Sequence, residues 1–179
     1  MPDEVAPTPS PGEPDERPAV AVFDIDGVLA DVRHRLHHVE KRPKDWPAFF
    51  AAMGDDEPLE VGVALARDLA AQGNAIVYLT GRHEGYRRLT EEWLRGHGLP
   101  EGRLVMRRDD DRRPARQLKP QELRRIARRA RVVAVVDDDD AVVAVLRRDG
   151  WPVHHATWMT TRADEQQALF DAQEVDGRS

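Results

Sequence analysis

Asp24 and Asp26 flank a single isoleucine at the end of an apolar run, AVAVF, and Gly27 follows them. Carboxylates so placed could hold a divalent cation through hard oxygen atoms, attack an electrophilic centre or carry a proton. The competing reading is structural, with two aspartates capping a turn at a strand end. Three further groups of reactive residues lie downstream. Thr80, Gly81 and Arg82 close the run AIVYL, Lys119 stands in a stretch whose other cations are arginines, and Asp137 and Asp138 open four aspartates after VVAVV. Together these residue types suit phosphoryl transfer. Carboxylates at two strand ends can hold Mg²⁺, one carboxylate can attack phosphorus to form an aspartyl-phosphate, and a second can protonate the leaving oxygen and later activate water. A lysine and a hydroxyl can orient the equatorial oxygens of the transition state.

For these groups to meet, the segments between them must bring several strand ends to one edge. Ala19 to Phe23 is apolar at every position, as in a strand buried on both faces. Strands are also expected over 74–82, 103–107 and from Val132, with a last one within 151–158. Between them, helices are expected over 45–53 with Asp45 as N-cap, 58–73 opened by Pro58 and ended by Gly73, 85–98, 120–130 and 141–150. Lys119 would then lie just before a helix. Asp139 and Asp140 suit the N-cap and first turn of the next one. Alternating strands and helices predict an α/β, Rossmann-like three-layer fold with a central parallel sheet, whose functional groups gather beyond the carboxyl ends of the strands. Residues 1–18, rich in proline and acid, read as a disordered tail. Residues 19–160 form the expected domain, with a small helical insert over 31–57, and 161–179 read as a C-terminal helix and frayed tail.

Composition narrows the classes. The chain has 179 residues, 40% of them hydrophobic and 34% charged, with a formal net charge of −6. That balance opposes a protein gripping nucleic acid over its whole surface, but a local basic track remains open across the arginine-rich residues 103–131. Cysteine is absent, which removes thiolate chemistry and cysteine-held zinc. No apolar run approaches the ~18 residues of a membrane span, and nothing near the start reads as a signal peptide, so a cytoplasmic protein is expected. His34, His37 and His38 have helical metal-site spacing without a third ligand pattern. Trp46, Phe49 and Phe50 read first as packing within the insert.

DIDGVLAD resembles the first motif of the haloacid dehalogenase superfamily of phosphotransferases, LTGR the second, Lys119 the third and VVDDDD the fourth, in order along residues 19–140. A narrower resemblance is to the 3′-phosphatase domain of bacteriophage-type polynucleotide kinase/phosphatase. It is carried by Arg35 after the first motif, Gly81–Arg82, the arginine-bearing helix behind them, the lysine with the aspartates, and AVVAVLRRDGWPV. The resemblance implies Asp24 as nucleophile and Mg²⁺ ligand, and Asp26 as general acid/base with its carbonyl also on the metal. It implies Thr80 and Lys119 on the phosphoryl group, Asp138 as direct metal ligand, and Asp137 as partner to Lys119 or to a metal-bound water. Arg35, Gly81 and Arg82 would bind the substrate phosphate. One position departs: an acidic residue is expected four before the lysine, where this chain has Ala115. No GxxxxGK[ST] loop occurs in the chain, so the kinase half of that family is missing, and a separate kinase or ligase is a candidate partner. The short insert implies an open site and hence a macromolecular end, making a 3′-phosphorylated nucleic acid the expected substrate. A phosphatase of small metabolites or nucleotides, and a non-catalytic module binding phosphorylated ends or a protein, are the alternatives.

Overall fold

A computed structural model describes residues 15–40 and 42–159. Its core is a five-stranded sheet, parallel throughout, built from β1 (Ala19–Phe23), β4 (Ala75–His83), β5 (Gly102–Arg107), β6 (Arg131–Asp137) and β7 (Val153–His155). The order is β5-β4-β1-β6-β7. The chain therefore builds outward on one side of β1, then returns to build on the other. That reversal opens a crevice beyond the carboxyl end of β1, where ligands of such sheets bind.

Alternation along β1 explains the three layers. Ala21 and Phe23 join one apolar cluster with Val63 and Ala66 of α3 (Glu60–Ala71) and with Trp93 and Leu94 of α4 (Arg87–Gly96). Val20 and Val22 face the other way, toward Leu123 and Ile126 of α5 (Ala115–Ala127) and Val142 and Leu146 of α6 (Asp140–Arg148). Because successive side chains in a strand point to opposite faces, one apolar run feeds both cores. The expected α/β three-layer fold is what forms.

Between β1 and α3 the chain makes the insert. It holds α1 (Arg33–Glu40), α2 (Trp46–Ala51), a 3₁₀ turn (Ala52–Asp55) and a two-residue antiparallel pair, β2 (Ala30–Asp31) with β3 (Glu57–Pro58). A third small core of Val32, Leu36, Val39, Phe49, Phe50 and Met53 holds it together. Asp45 caps α2, accepting from the Ala48 amide at 3.0 Å, and Asp139 caps α6 in the same way, accepting from Ala141 and Val142.

Two helix starts differ from expectation. Pro58 belongs to β3 rather than opening α3. More consequentially, α5 starts at Ala115 and runs through Pro120. Lys119 is therefore a helix residue, not a loop residue before one. Proline in a helix interior removes one backbone hydrogen bond, but Ala115, Leu118, Lys119 and Leu123 are all buried on this helix, and that packing outweighs the loss. Of the tail expected over 1–18, residues 15–18 are described: Arg17 reaches the Ala127 carbonyl, and the Pro18 carbonyl accepts from the Arg131 amide. The C-terminal helix expected after residue 160 lies outside the described residues. Among the described residues no helix is long and apolar enough to cross a membrane.

Candidate active site

Asp24 and Asp26 follow β1 directly. The Asp24 amide still donates to the Val136 carbonyl at 2.9 Å, extending the ladder, and then the chain folds back as the amides of Val28, Leu29 and Ala30 all converge on the Ile25 carbonyl. Gly27 makes this turn with φ +77°, and a Cβ there would lie 2.1 Å from Asp138 Oδ2. Glycine is needed twice over, for the backbone angle and to let the carboxylate of the β6 loop approach.

Two charge networks meet at this turn. In the first, Lys119 Nζ lies 2.6 Å from Asp24 Oδ2 and 2.7 Å from Asp137 Oδ2, with all three side chains nearly fully buried. The other oxygen of Asp24 accepts from the Ile25 amide at 2.8 Å. Asp24, Asp137 and Asp138 each offer an oxygen within 4.8 Å of the others. Asp138 Oδ1 is shut off from solvent and has no hydrogen-bond partner. Burial pushes the Asp24 carboxyl up to about 7, with Lys119 opposing and the Asp137 charge adding to the rise. Burial and the neighbouring Asp24 and Asp137 charges raise Asp138 well above the carboxylate range. Three carboxylates thus converge with one lysine between two of them, leaving negative charge that the protein itself does not compensate. An oxygen-only donor set of this kind, with one orphaned oxygen, fits a hard divalent cation. Among the described residues no other cluster of metal-ligating side chains is of this kind, and the histidines of α1 form none.

In the second network, Asp26 Oδ1 accepts from Arg35 Nη2 at 2.8 Å and from Arg82 Nε at 3.0 Å. Asp56, at the close of the insert, accepts from both arginines as well, at 2.7 Å from Arg35 Nε and 2.8 Å from Arg82 Nη2. Both guanidiniums are wholly buried. Burial alone would raise the Asp26 carboxyl, but Arg82 and Arg35 outweigh it and hold it below its ordinary value. Asp26 Oδ2 and the Nη1 atoms of Arg35 and Arg82 are buried without a hydrogen-bond partner. The two arginines expected as phosphate clamps therefore stand at the site with most of each fork committed to carboxylates. Thr80 is buried, and its Oγ1 accepts from the Arg82 amide at 3.2 Å; the Gly81 carbonyl accepts from Arg107 Nε at 3.0 Å.

The sequence did not mark Asp56. It sits in the run Asp55–Asp56–Glu57, which reads as solvated surface, and only the folded insert carries it between two arginines. His34 Nε2 lies 2.8 Å from its Oδ1, and Trp93 Nε1 donates to its backbone carbonyl at 2.7 Å. Ala115, at the expected acidic position, is 2% exposed and packs with Leu123 and Val142. A methyl group there joins the core and brings no charge to Lys119.

A parallel sheet with paired aspartates beyond β1, a hydroxyl near the carboxyl end of β4, a lysine on α5 and aspartates at the carboxyl end of β6 defines a haloacid dehalogenase-type phosphatase. A family model for the polynucleotide kinase PNKP phosphatase domain matches residues 18–157. The chain belongs to that family and is a phosphoric monoester hydrolase. Among solved structures it resembles a chain of the Pnkp1/Rnl/Hen1 RNA repair complex, with a TM-score of 0.66 at 23% identity over 80% of this chain and 43% of that one. It also resembles the class C acid phosphatase from Bacillus anthracis with tungstate bound, with a TM-score of 0.59 at 13% identity over 87% and 79% of the two chains. This chain thus spans about half the length of the repair-complex chain. No curated protein matches it.

Proposed function

We propose that the protein is a Mg²⁺-dependent polynucleotide 3′-phosphatase acting through an aspartyl-phosphate. The observation that carries the chemistry is the convergence of Asp24, Asp137 and Asp138 beyond β1, with Lys119 bridging the first two. Asp24, Asp137 and Asp138, with the Asp26 carbonyl, would hold the Mg²⁺. When bound, the cation neutralises the carboxylates and the transferring phosphoryl oxygens, as divalent ions do in phosphoryl transfer.

The chain's own residues supply the rest. Asp24 attacks phosphorus, and Lys119 keeps its carboxylate in place while binding an equatorial oxygen. Thr80 retains its hydroxyl proton for another phosphoryl oxygen, because the bond it makes to the Arg82 amide uses a lone pair. Asp26 presents its unpartnered Oδ2 to the leaving oxygen. As the substrate phosphate engages Arg35 and Arg82 and weakens their hold on this carboxylate, Asp26 takes up a proton from solvent, passes it to the leaving oxygen, and then takes one from the water that cleaves the intermediate. Arg35 and Arg82 fix Asp26 through Oδ1 and leave their Nη1 atoms for the phosphate, beside Gly81. Asp56 holds that pair of arginines. Asp56→Asn should lower kcat about 100-fold, the scale of a misplaced catalytic group; wild-type kcat in this variant would remove Asp56 from the account.

The substrate class rests on the family and on the insert, which is two short helices rather than a closing domain. The repair-complex neighbour supports a kinase or ligase working alongside. The test is phosphate release from a 3′-phosphorylated oligonucleotide, its 5′-phosphorylated twin and an aryl phosphate, with Mg²⁺ and with chelator. Preference for the 3′ end, lost with chelator, is expected. Turnover of the aryl phosphate alone would keep the chemistry and move the substrate to small molecules.

A further inference from the structure

Trp46, Phe50 and Tyr86 line, with His83, Asp109 and Arg112, an open cavity of about 350 Å³ where the insert meets the end of β4. The volume is within the ~300–1,000 Å³ range of small-ligand pockets. Phe50 is the floor: its ring stacks on Trp46 with centroids 5.9 Å apart and lies 5.2 Å from Tyr86. Trp46 and Tyr86 are half-buried and pack against the insert core, and Lys44 Nζ lies 5.3 Å over the Trp46 ring. Packing of the insert explains why Phe49 and Phe50 are aromatic. It does not explain a cavity ringed by aromatic side chains beside the active site, since His83 directly follows Arg82.

Arg112 lines this cavity and also a larger one of about 710 Å³, bordered by Arg108, Arg113 and Gln117 and by Asp110 and Asp111, which hold Arg108 and Arg113 in ion pairs. The two cavities thus adjoin at Arg112, one presenting aromatic faces and the other guanidinium and carboxylate groups. Two further cavities, of about 450 and 460 Å³, are bordered by residues at the starts of strands, Gly102 in both and Val20 and Ala75 in one. They lie at the edge of the sheet away from the site.

We infer that the Trp46–Phe50–Tyr86 cleft is a nucleobase subsite, taking the terminal base of the 3′-phosphorylated strand while the Arg112 hollow takes the backbone phosphate behind it. The inference rests on the nucleic-acid reading above. Aromatic faces stack on any base, so the cleft would select nucleic acid over other phosphomonoesters without selecting sequence.

The experiment measures kcat/KM on two 3′-phosphorylated oligonucleotides identical except that one lacks the terminal base. Wild type should favour the base-bearing strand roughly tenfold, the scale of one stacked base. Trp46→Ala and Tyr86→Ala should bring that ratio toward one, while Tyr86→Phe, which keeps the ring, should retain it. Because each ratio is taken within one variant, a partial loss of fold cancels. A wild-type ratio near one, or a ratio that survives both alanine variants, overturns the cleft and leaves the 3′-phosphatase reading standing. A wild type active on an aryl phosphate but on neither oligonucleotide overturns that reading, and the cleft with it.

Discussion

Asp24→Asn should release phosphate at least about 10⁴-fold more slowly than wild type, because removing the attacking group of a covalent hydrolase leaves only binding and orientation to act. The amide keeps the size of the carboxylate and one acceptor oxygen. Today Asp24 accepts from Lys119 at one oxygen and from the Ile25 amide at the other, so one of these donors loses its partner. Against that loss, one negative charge leaves a crowded group of three carboxylates. The two effects oppose each other, and the fold should persist while turnover disappears. Steady-state kinetics beside a thermal melt checks both halves. Residual turnover at the wild-type rate would assign the nucleophile elsewhere.

Lys119→Met should damage both activity and fold. Methionine fills the volume and continues the helix, but it leaves Asp24 and Asp137 facing each other, buried, with no cation between them. Removing one partner of a buried ion pair costs about 3–5 kcal/mol, or about 10 °C in Tm for a chain of this size. Loss of a preorganised cation at the phosphoryl group should slow turnover by about 10²–10³-fold as well. The contrast with Asp24→Asn is informative: there the chemistry fails with little change in stability, here both fall. Added Mg²⁺ should recover part of the lost Tm, since a ligand that binds only the folded state stabilises it. A melt unchanged from wild type would mean that Lys119 does not neutralise the two aspartates.

The parts of this arrangement that were legible in sequence share one property. Each is a reactive residue immediately after an apolar run, as with Phe23 before Asp24, Leu79 before Thr80 and Val136 before Asp137. The run fixes the strand, and the parallel topology then fixes which end gathers the chemistry. Lys119 was legible as a residue but not as part of a helix, because Pro120 mimics a helix start and only burial in three dimensions keeps α5 continuous. The β2–β3 pair was invisible, since two residues carry no periodicity. Helix α1, RHRLHHVE, was no clearer, as its apolar positions are too few to set a period. Asp56 and the burial of Arg35 and Arg82 were hidden for another reason. Charged residues ordinarily sit in water, and nothing in an acidic run announces that one member is enclosed between two guanidiniums brought from α1 and β4.

The most direct test of Asp24 as the nucleophile is to trap the intermediate. Enzyme turning over a 3′-phosphorylated oligonucleotide with Mg²⁺ is quenched into borohydride, which reduces an acyl phosphate to an alcohol, and the digested protein is read by mass spectrometry. Homoserine is expected at position 24, dependent on both substrate and Mg²⁺. Homoserine at Asp26, Asp137 or Asp138 instead would contradict that assignment.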